Sequence, residues 1–283
     1  MLLVDSHCHI QSERFDDDRA AVLLAAREAG VVRMLVPGWD EASSWAALEL
    51  VTHEPWLDAA AGIHPHEAGR ADASAWEAVA RLAADHRTVA VGETGLDYDR
   101  LFSPVEAQRT NLRRHLELGL ALDKPVIIHC RSAVGETQAH DDLLDLLADA
   151  GITASERARR EAPAAIIHSF SGSAAFADEV LARGLAISIS GLAFRTGEGP
   201  TFEAVARRVP PERLLTETDS PFLSPPGAPR RRNEPAWVRV TAERLAEIRD
   251  VAPDELGDTL VEAYDRTFRI PAGRPRTPPA APG

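Results

Sequence analysis

The sequence predicts an α/β fold, a single (β/α)₈ TIM barrel. Short apolar segments typical of strands alternate with amphipathic segments typical of helices almost throughout the 283 residues. An uninterrupted series of strand–helix units implies parallel strands, and eight such units in about 270 residues fit a closed barrel. The alternative is a doubly wound open sheet, but no Gly-x-Gly-x-x-Gly turn follows the first strand.

The eight predicted strands are short runs of mostly apolar residues. They cover residues 2–9, 31–36, 57–63, 88–93, 125–130, 164–169, 185–190 and 213–218. Helical periodicity between and after them covers residues 16–29, 42–53, 73–85, 104–122, 141–150, 174–183, 202–208 and 235–250. Gly30 and Gly184 follow two of these helices directly, and glycine at that position commonly ends a helix.

A further helix is predicted over residues 253–268, packed on the barrel, so that residues 1–270 form one domain. Residues 271–283 are rich in proline and poor in apolar side chains. Such a segment cannot bury enough apolar surface to become ordered, so we expect a disordered tail.

The composition is that of an ordinary soluble protein, with 45% hydrophobic and 27% charged residues. The sequence lacks an apolar run of roughly 18 residues and a signal peptide, so we expect a cytoplasmic protein with no membrane partner, and a monomer. Cys8 and Cys130 read as small buried apolar residues rather than a disulfide. The net charge of −13 argues against a broadly basic nucleic-acid binder. It leaves room for an enzyme that meets phosphate through metal ions and a few arginines.

Residues that can ligate metal gather at the predicted carboxyl ends of the strands, where a TIM barrel carries its active site. His7 and His9 are two residues apart in a predicted strand, so they point to the same face. Any one of these residues could instead cap a backbone group. Together they number five of the ten histidines and three acids: His7, His9, His64, Glu93, His129, His168, Glu217 and Asp219. The histidines at predicted helices or their edges are interpreted as surface residues: His53, His86, His115 and His140.

As a set, the segments at the strand ends resemble the TatD family of metal-dependent deoxyribonucleases. The matching segments run in order along the chain: Asp5-x-His7-x-His9, Gly62-Ile63-His64-Pro65, Gly92-Glu93-Thr94-Gly95-Leu96-Asp97-Tyr98, Ile128-His129-Cys130-Arg131, His168-Ser169-Phe170-Ser171-Gly172, Ser188-Ile189-Ser190-Gly191, Thr216-Glu217-Thr218-Asp219-Ser220-Pro221 and Arg232-Asn233-Glu234-Pro235. The resemblance implies metal-dependent hydrolysis of DNA phosphodiester bonds, often as a 3′–5′ exonuclease. The connections 131–142 and 153–163 are longer than is usual in the family.

Phosphodiester hydrolysis needs an activated water, in-line attack and neutralisation of charge on phosphate, and two divalent ions about 3.5–4 Å apart serve all three needs. The resemblance and this chemistry together imply two ions of magnesium, manganese or zinc, with Glu93 bridging them. Asp219 is expected to orient the attacking water and take its proton, so Glu93 and Asp219 are the expected catalytic residues. The remaining implied ligands are His7, His9 and Asp219 for one ion, and His129 and His168 for the other.

Four residues are candidates for holding the substrate phosphate, because their donors suit its geometry: His64, Arg131, Arg232 and Asn233. Asp5 and Glu217 share strand faces with the implied ligands and are expected to support them from behind. Glu217 is also a candidate ligand for a further ion. The expected substrate is DNA, as single strands or ends.

Two other functions remain possible for such a barrel. Enzymes with a similar dinuclear site hydrolyse amides, lactones or acyl esters, since one metal centre serves many substrates. Those enzymes often carry a carboxylated lysine at the end of the fourth strand, where this chain has Glu93. A non-enzymatic binding protein on a degenerate barrel would be expected to have lost ligands, and none of the six is missing.

Overall fold

Eight parallel strands form one sheet in the computed structural model of the protein, which describes residues 1–156, 161–194, 199–229 and 231–274, the side chains of residues 199–201 excepted. The strands are β1 (Leu3–Asp5), β2 (Val31–Pro37), β3 (Leu57–Ala61), β4 (Thr88–Asp97), β5 (Val126–Arg131), β6 (Ala165–Ile167), β7 (Ala186–Ile189) and β8 (Leu214–Thr216). Each strand pairs with the next along the chain, which confirms the predicted (β/α)₈ barrel.

Helices follow the strands in the predicted order. They are α1 (Arg19–Glu28), α2 (Glu41–His53), α3 (Ala73–Ala84), α4 (Val105–Leu122), α5 (Gln138–Asp149), α6 (Ala174–Ala182), α7 (Gly199–Arg208), α8 (Val238–Arg249) and α9 (Pro253–Thr267). None of these helices, within the described residues, is both long and apolar enough to cross a membrane. The last of them, α9, packs against β1 and β8 and is the extra helix predicted after the eighth unit.

The strands are buried on both faces, because side chains fill the barrel on one side and helices cover the other. All seven residues of β2 are buried, including Arg33. Side-chain caps fix several helix starts on the outside of the barrel. At α2 the Asp40 carboxylate accepts a hydrogen bond from the Ser43 backbone N–H at 2.8 Å, which satisfies a donor that the first turn leaves unpaired.

Individual hydrogen bonds close the barrel between β8 and β1. The Ser6 N–H donates to the Thr216 carbonyl at 2.9 Å. Further along, the Asp219 N–H donates to the carbonyl of His7, and the His9 N–H donates to that of Ser220, each at 2.8 Å. The closing seam of the barrel is therefore made in part by the residues predicted to bind metal.

Strand β4 is longer than predicted and reaches Asp97 through an irregular register. Val91 pairs with Val126, but the next partners are Thr94 and Ile128, so residues 92 and 93 leave the regular ladder. Gly95 has φ +138°, and a Cβ atom there would lie 1.9 Å from the carbonyl oxygen of His129. Only glycine permits this close approach of β4 to β5.

The C-terminal segment meets the end of the barrel opposite the strand carboxyl ends. The Arg274 guanidinium lies 2.8 Å from the fully buried carboxylate of Asp58 and also donates to the Leu57 carbonyl at 3.3 Å. Within the predicted tail, residues 275–283 lie outside the described residues. Residues 157–160 of the long connection into β6 do so as well.

Candidate metal centre

The predicted ligands meet at the carboxyl ends of the strands, where their side chains point toward the barrel axis. His7 and His9 follow β1 directly, and their ring centroids are 4.8 Å apart. Glu93 lies in β4 and His129 in β5, while His168 follows β6 and Asp219 follows β8. All six predicted ligands thus come together in one cluster.

The Glu93 carboxylate lies at the centre of this cluster and is 2% exposed. Its Oε2 atom faces the first strand, at 3.2 Å from His7 Nε2 and 3.6 Å from His9 Nε2. The two imidazole nitrogens are themselves 3.2 Å apart. One carboxylate oxygen and two imidazole nitrogens therefore converge on a small volume, as the ligands of one ion would.

The other oxygen of Glu93 faces a second group of histidines. Its Oε1 atom is 2.8 Å from His168 Nε2, 3.3 Å from His64 Nε2 and 3.4 Å from His129 Nδ1. The two groups adjoin each other, since the His7 ring is stacked on that of His168 with centroids 3.9 Å apart. Glu93 is therefore the residue that joins the two halves of the cluster.

Three overlapping sets of donor atoms have the spacing that a metal ion requires, with the donors of each set within 4.8 Å of one another. They are His7, His9 and Glu93; His7, His168 and Asp219; and His64, Glu93 and His129. Imidazole and carboxylate donors together suit divalent ions such as zinc and manganese. The residues present therefore fit a divalent metal ion.

The electrostatics of the cluster favour an ionised carboxylate. Burial by itself would raise the pKa of Glu93, but the surrounding imidazoles of His168, His64 and His7 outweigh burial and place that pKa well below its ordinary value. Burial would likewise lower the pKa of His168, whereas the carboxylates of Glu93 and Glu217 raise it well above its usual range. The buried Glu93 carboxylate thus favours the protonated form of His168.

Two other histidines of the cluster are held neutral. Burial lowers the pKa of His64 to about 4. Burial and the neighbouring His168 lower the pKa of His7. Neutral imidazole is the form that binds metal, so these two rings need not lose a proton first.

Asp219 completes the cluster from the last strand. Its Oδ1 atom is 3.5 Å from His9 Nε2 and 3.7 Å from His7 Nε2, and it is 13% exposed to the cavity. The backbone is left-handed here, with φ +53°, a conformation that aspartate tolerates better than most residues. The turn is held by the Phe222 N–H, which donates to the Asp219 carbonyl at 2.8 Å.

Asp5 and Glu217, predicted to support the ligands, have different surroundings. Glu217 is fully buried, and its Oε1 atom lies 3.3 Å from His168 Nδ1, on the far side of that ring from Glu93. Asp5 instead accepts hydrogen bonds from the Thr218 N–H at 2.9 Å and the Thr218 hydroxyl at 2.6 Å. Glu217 therefore contacts a predicted ligand ring, whereas Asp5 ties the first strand to the turn that carries Asp219.

Asp97 and His66 belong to the site but were not assigned a role from the sequence. The Asp97 Oδ2 atom accepts from His66 Nε2 at 2.8 Å and lies 3.3 Å from His129 Nε2. Backbone N–H groups of Asp99 and Arg100 donate to its other oxygen. The signal for Asp97 is the pair Gly92 and Gly95, which marks the strand as irregular and longer than its apolar run.

The four candidates for holding phosphate separate into two pairs. His64 is part of the cluster, and Arg131 lines the cavity above it, exposed and 2.7 Å from the carboxylate of Asp99. Arg232 and Asn233 form hydrogen bonds outside the cluster.

Arg232 donates to both carboxylate oxygens of Asp18, at 2.8 and 2.7 Å, and to Glu234 at 2.8 Å. The fully buried Asn233 amide donates to the carbonyls of Thr218 and Phe222, at 2.9 and 2.7 Å. Because both hydrogens of that amide are used, Asn233 holds the turn that carries Asp219 and has none left for phosphate.

The cluster opens into a cavity of about 460 Å³. Aromatic side chains line it beside the charged ones, among them Trp39, Phe102 and Phe222. The cavity thus has charged and polar side chains at its floor and aromatic side chains at its rim.

The sequence as a whole matches one family model, described as TatD related DNase, over residues 4–269. A 3′-5′ ssDNA/RNA exonuclease TatD from Yersinia pseudotuberculosis is 34% identical over 273 residues, which are 95% of this chain and 100% of that protein. An uncharacterized metal-dependent hydrolase from Bacillus subtilis, YabD, is 33% identical over 272 residues, again 95% of this chain and 100% of that protein.

The fold matches solved structures of the same group. The crystal structure of YJJV, a TatD homologue from Escherichia coli K12, superposes with a TM-score of 0.82 at 29% sequence identity, covering 95% of this chain and 98% of that one. A TatD family hydrolase from Entamoeba histolytica has the same fold, with a TM-score of 0.80 at 20% identity over 94% of this chain and 97% of that one.

Proposed function

Because the chain belongs to the TatD-related DNase family, and is therefore a metal-dependent hydrolase of ester bonds, we propose that it cleaves the phosphodiester bonds of DNA. The proposed substrate is a single strand or a free end, degraded from 3′ to 5′ at a dinuclear metal centre. One observation carries this proposal: the two oxygens of the buried Glu93 carboxylate face two different groups of imidazoles.

The positions of the donor atoms support a ligand role for six residues of the cluster. Glu93 would be shared by two ions, with His7, His9 and Asp219 holding one of them and His129 and His168 holding the other; the short distances between these side chains support this assignment. Two divalent ions, when bound, neutralise phosphate charge and acidify the attacking water. His64 remains the candidate for contacting phosphate from the floor of the cavity, and Arg131 for contacting it from the rim.

Asp219 is the residue we assign to take the proton of the attacking water. It faces the cavity, whereas Glu93 is enclosed by histidines. A general base must reach the proton it abstracts, and Asp219, at 13% exposed, is more accessible than Glu93, at 2%. The hydrogen-bonded turn places Asp219 in the lining of the cavity.

The test is hydrolysis of a 5′-labelled single-stranded oligonucleotide by protein stripped of metal and then supplied with Mg²⁺ or Mn²⁺. We expect no cleavage without metal and a ladder shortening from the 3′ end with it. Glu93→Gln should lower kcat by at least about 10³-fold, because the bridging charge is lost. Glu67→Gln is the matched control, since Glu67 lines the same cavity and pairs only with the exposed Arg70 among the described residues.

An amide, lactone or acyl-ester substrate is the competing outcome of the same experiment. A panel of lactones and esters is assayed beside the oligonucleotides with the same metals. Rapid lactone or ester turnover without phosphodiester cleavage would overturn the proposal, and so would wild-type nuclease activity in Glu93→Gln.

A further inference from the structure

Large apolar side chains are exposed on the loops that surround the cluster. Phe102 follows β4 and is 62% exposed, and Phe222 follows β8 and is 51% exposed. Leu101 and Val134 are exposed on the loops after β4 and β5. Exposed aromatic groups on a concave, polar site are costly in water and are typical of surfaces that bind a partner.

Phe102 stands over one side of the cluster. Its ring lies 4.7 Å from the ring of His66, at an interplanar angle of 70°. His66 is in turn bonded to Asp97, which also contacts His129. The exposed face of Phe102 therefore borders the half of the site that contains His129.

Phe222 stands over the opposite side. Phe222 lies three residues after Asp219 in the chain, and its ring centroid is 6.1 Å from that of His9. The Asn233 side-chain amide donates to the Phe222 carbonyl, and the Phe222 N–H donates to the Asp219 carbonyl. These hydrogen bonds hold the backbone of Phe222 in place. The two phenylalanines thus flank the cluster, one beside each half.

The charges around these rings suit a phosphodiester strand. The Arg14 guanidinium lies 5.8 Å from the centroid of Phe222, and Arg100 and Arg131 line the cavity near Phe102. The chain as a whole carries −13, so electrostatic attraction alone gives a weak hold on nucleic acid. Stacking of bases on aromatic rings adds affinity that depends little on sequence.

We propose that Phe102 and Phe222 are stacking platforms for two unpaired bases, one on each side of the phosphodiester bond at the cluster. This inference rests on the proposed function and extends it to the source of strand selectivity. A base stacked within a duplex is shielded by its neighbours, so the platforms favour single strands, of DNA or RNA alike, because both present the same base faces.

The experiment compares intact single-stranded oligonucleotides with oligonucleotides of equal length whose last two 3′ positions are abasic. Abasic positions keep the phosphates and remove the bases. Wild-type enzyme should prefer the intact strand, with KM about tenfold lower for each base that stacks. In Phe102→Ala and Phe222→Ala this preference should shrink about tenfold, and in the double variant it should disappear.

Two further sets of variants serve as controls for the stacking interpretation. Phe102→Trp and Phe222→Trp retain an aromatic face and should restore the preference for intact strands. Trp45→Ala removes an aromatic side chain that is 57% exposed on α2 and does not line this cavity, and it should leave the preference unchanged. Parallel assays with RNA and with duplex DNA separate base stacking from recognition of the sugar or of the helix.

The outcomes distinguish this inference from the proposed function. Equal losses on intact and abasic strands, or no loss on either, overturn the stacking platforms while leaving the nuclease in place. If wild-type protein cleaves no nucleic acid, the proposed function fails. Fluorescence anisotropy with a labelled intact oligonucleotide in chelator then decides the inference: weaker binding by the alanine variants supports it, and equal binding overturns it.

Discussion

Asp97 shows how one carboxylate can position a neighbouring histidine of the cluster. It contacts His129 on the side away from Glu93 and is itself held by His66 and by two backbone N–H groups. Burial would raise the pKa of Asp97, but hydrogen bonds from His129 and His66 outweigh burial and lower that pKa. An anionic partner behind a ligating histidine fixes the orientation of its ring.

Replacing Asp97 with Asn keeps the size of the side chain and removes its charge. We expect Asp97→Asn to weaken metal binding by about 10- to 100-fold, because His129 loses its anionic partner. Calorimetric titration of metal-free protein with Mn²⁺ measures this directly. Asp142→Asn, at a carboxylate paired with Arg109 and Tyr98, serves as the control. Unchanged affinity in Asp97→Asn, with folding intact, would assign Asp97 a purely structural role.

His115 carries a pH dependence that is independent of the metal cluster. Its Nε2 atom accepts from the Ile63 N–H at 3.0 Å and its Nδ1 atom donates to the Asn111 carbonyl at 2.7 Å. Burial lowers the pKa of His115 to about 4. Below about pH 6.5, His115 therefore binds a proton in the unfolded chain but stays neutral in the native protein. The free energy of unfolding consequently falls as the pH drops toward 4.

His115→Gln removes this titration. Between pH 7 and pH 5, the free energy of unfolding should fall by about 2 kcal/mol more in the wild type than in the variant, since one pKa unit corresponds to about 1.4 kcal/mol. Urea unfolding at a series of pH values measures the difference. His53→Gln, at a histidine that is 72% exposed on α2, is the control. Parallel stability curves for wild type and His115→Gln would refute the assignment.

The predictability of single residues depended on whether they lie at the end of a recognisable strand. The six predicted ligands did, so simple alternation placed them on the barrel rim. Asp97 did not, because the irregular register of β4 carries the strand past its apolar run. His115 and His140 were predicted at the surface and are buried, since they lie on the faces of α4 and α5 that turn inward.

At the scale of elements, the glycines of β4 decide how closely two strands approach. Gly95→Ala adds a Cβ atom 1.9 Å from the His129 carbonyl, at φ +138°. We expect a loss of at least about 2 kcal/mol in the free energy of unfolding, from backbone strain and from displacement of β5. The displacement should also reduce nuclease activity, because β5 carries His129.

Gly135→Ala is the matched control for this substitution. Gly135 also has a positive φ, +83°, but, apart from its two chain neighbours, no residue that the structure describes has an atom within 4 Å of the added methyl group. Its cost should stay near about 1 kcal/mol, the penalty of the backbone conformation alone. Urea unfolding of both variants separates close contact from strain, and equal losses would show that the approach of β5 is not the cause.

The sequence predicted each of the strands β1–β8 and the helices α1–α9, and the differences lie at their ends. The first strand was expected over residues 2–9, but regular pairing stops at Asp5. Beyond Asp5, the Cys8 backbone N–H donates to the carbonyl of Leu35 in β2, whereas the His9 backbone N–H donates to the carbonyl of Ser220. Alternating partners of this kind depend on contacts with distant parts of the chain, which periodicity cannot reveal.

At the scale of the whole molecule, the two ends of the barrel are built from different chemistry. The carboxyl end holds the cluster of histidines and carboxylates. The other end holds a buried network in which Arg274 and the hydroxyl of Tyr264 contact the carboxylate of Asp58. Burial raises the pKa of Asp58 despite these partners. The separation leaves the carboxyl end free for chemistry while the opposite end contributes to stability.

The seam between β8 and β1 also has a consequence for biosynthesis. Cys8 and Ser220, paired across it, are 212 residues apart in the chain. The first strand leaves the ribosome long before its partner has been translated. His7 and His9 therefore wait for Asp219, and no growing chain holds a complete cluster until the eighth strand has emerged. The set of predicted ligands is therefore complete only after the segment that follows β8 has been made and has paired with the first strand.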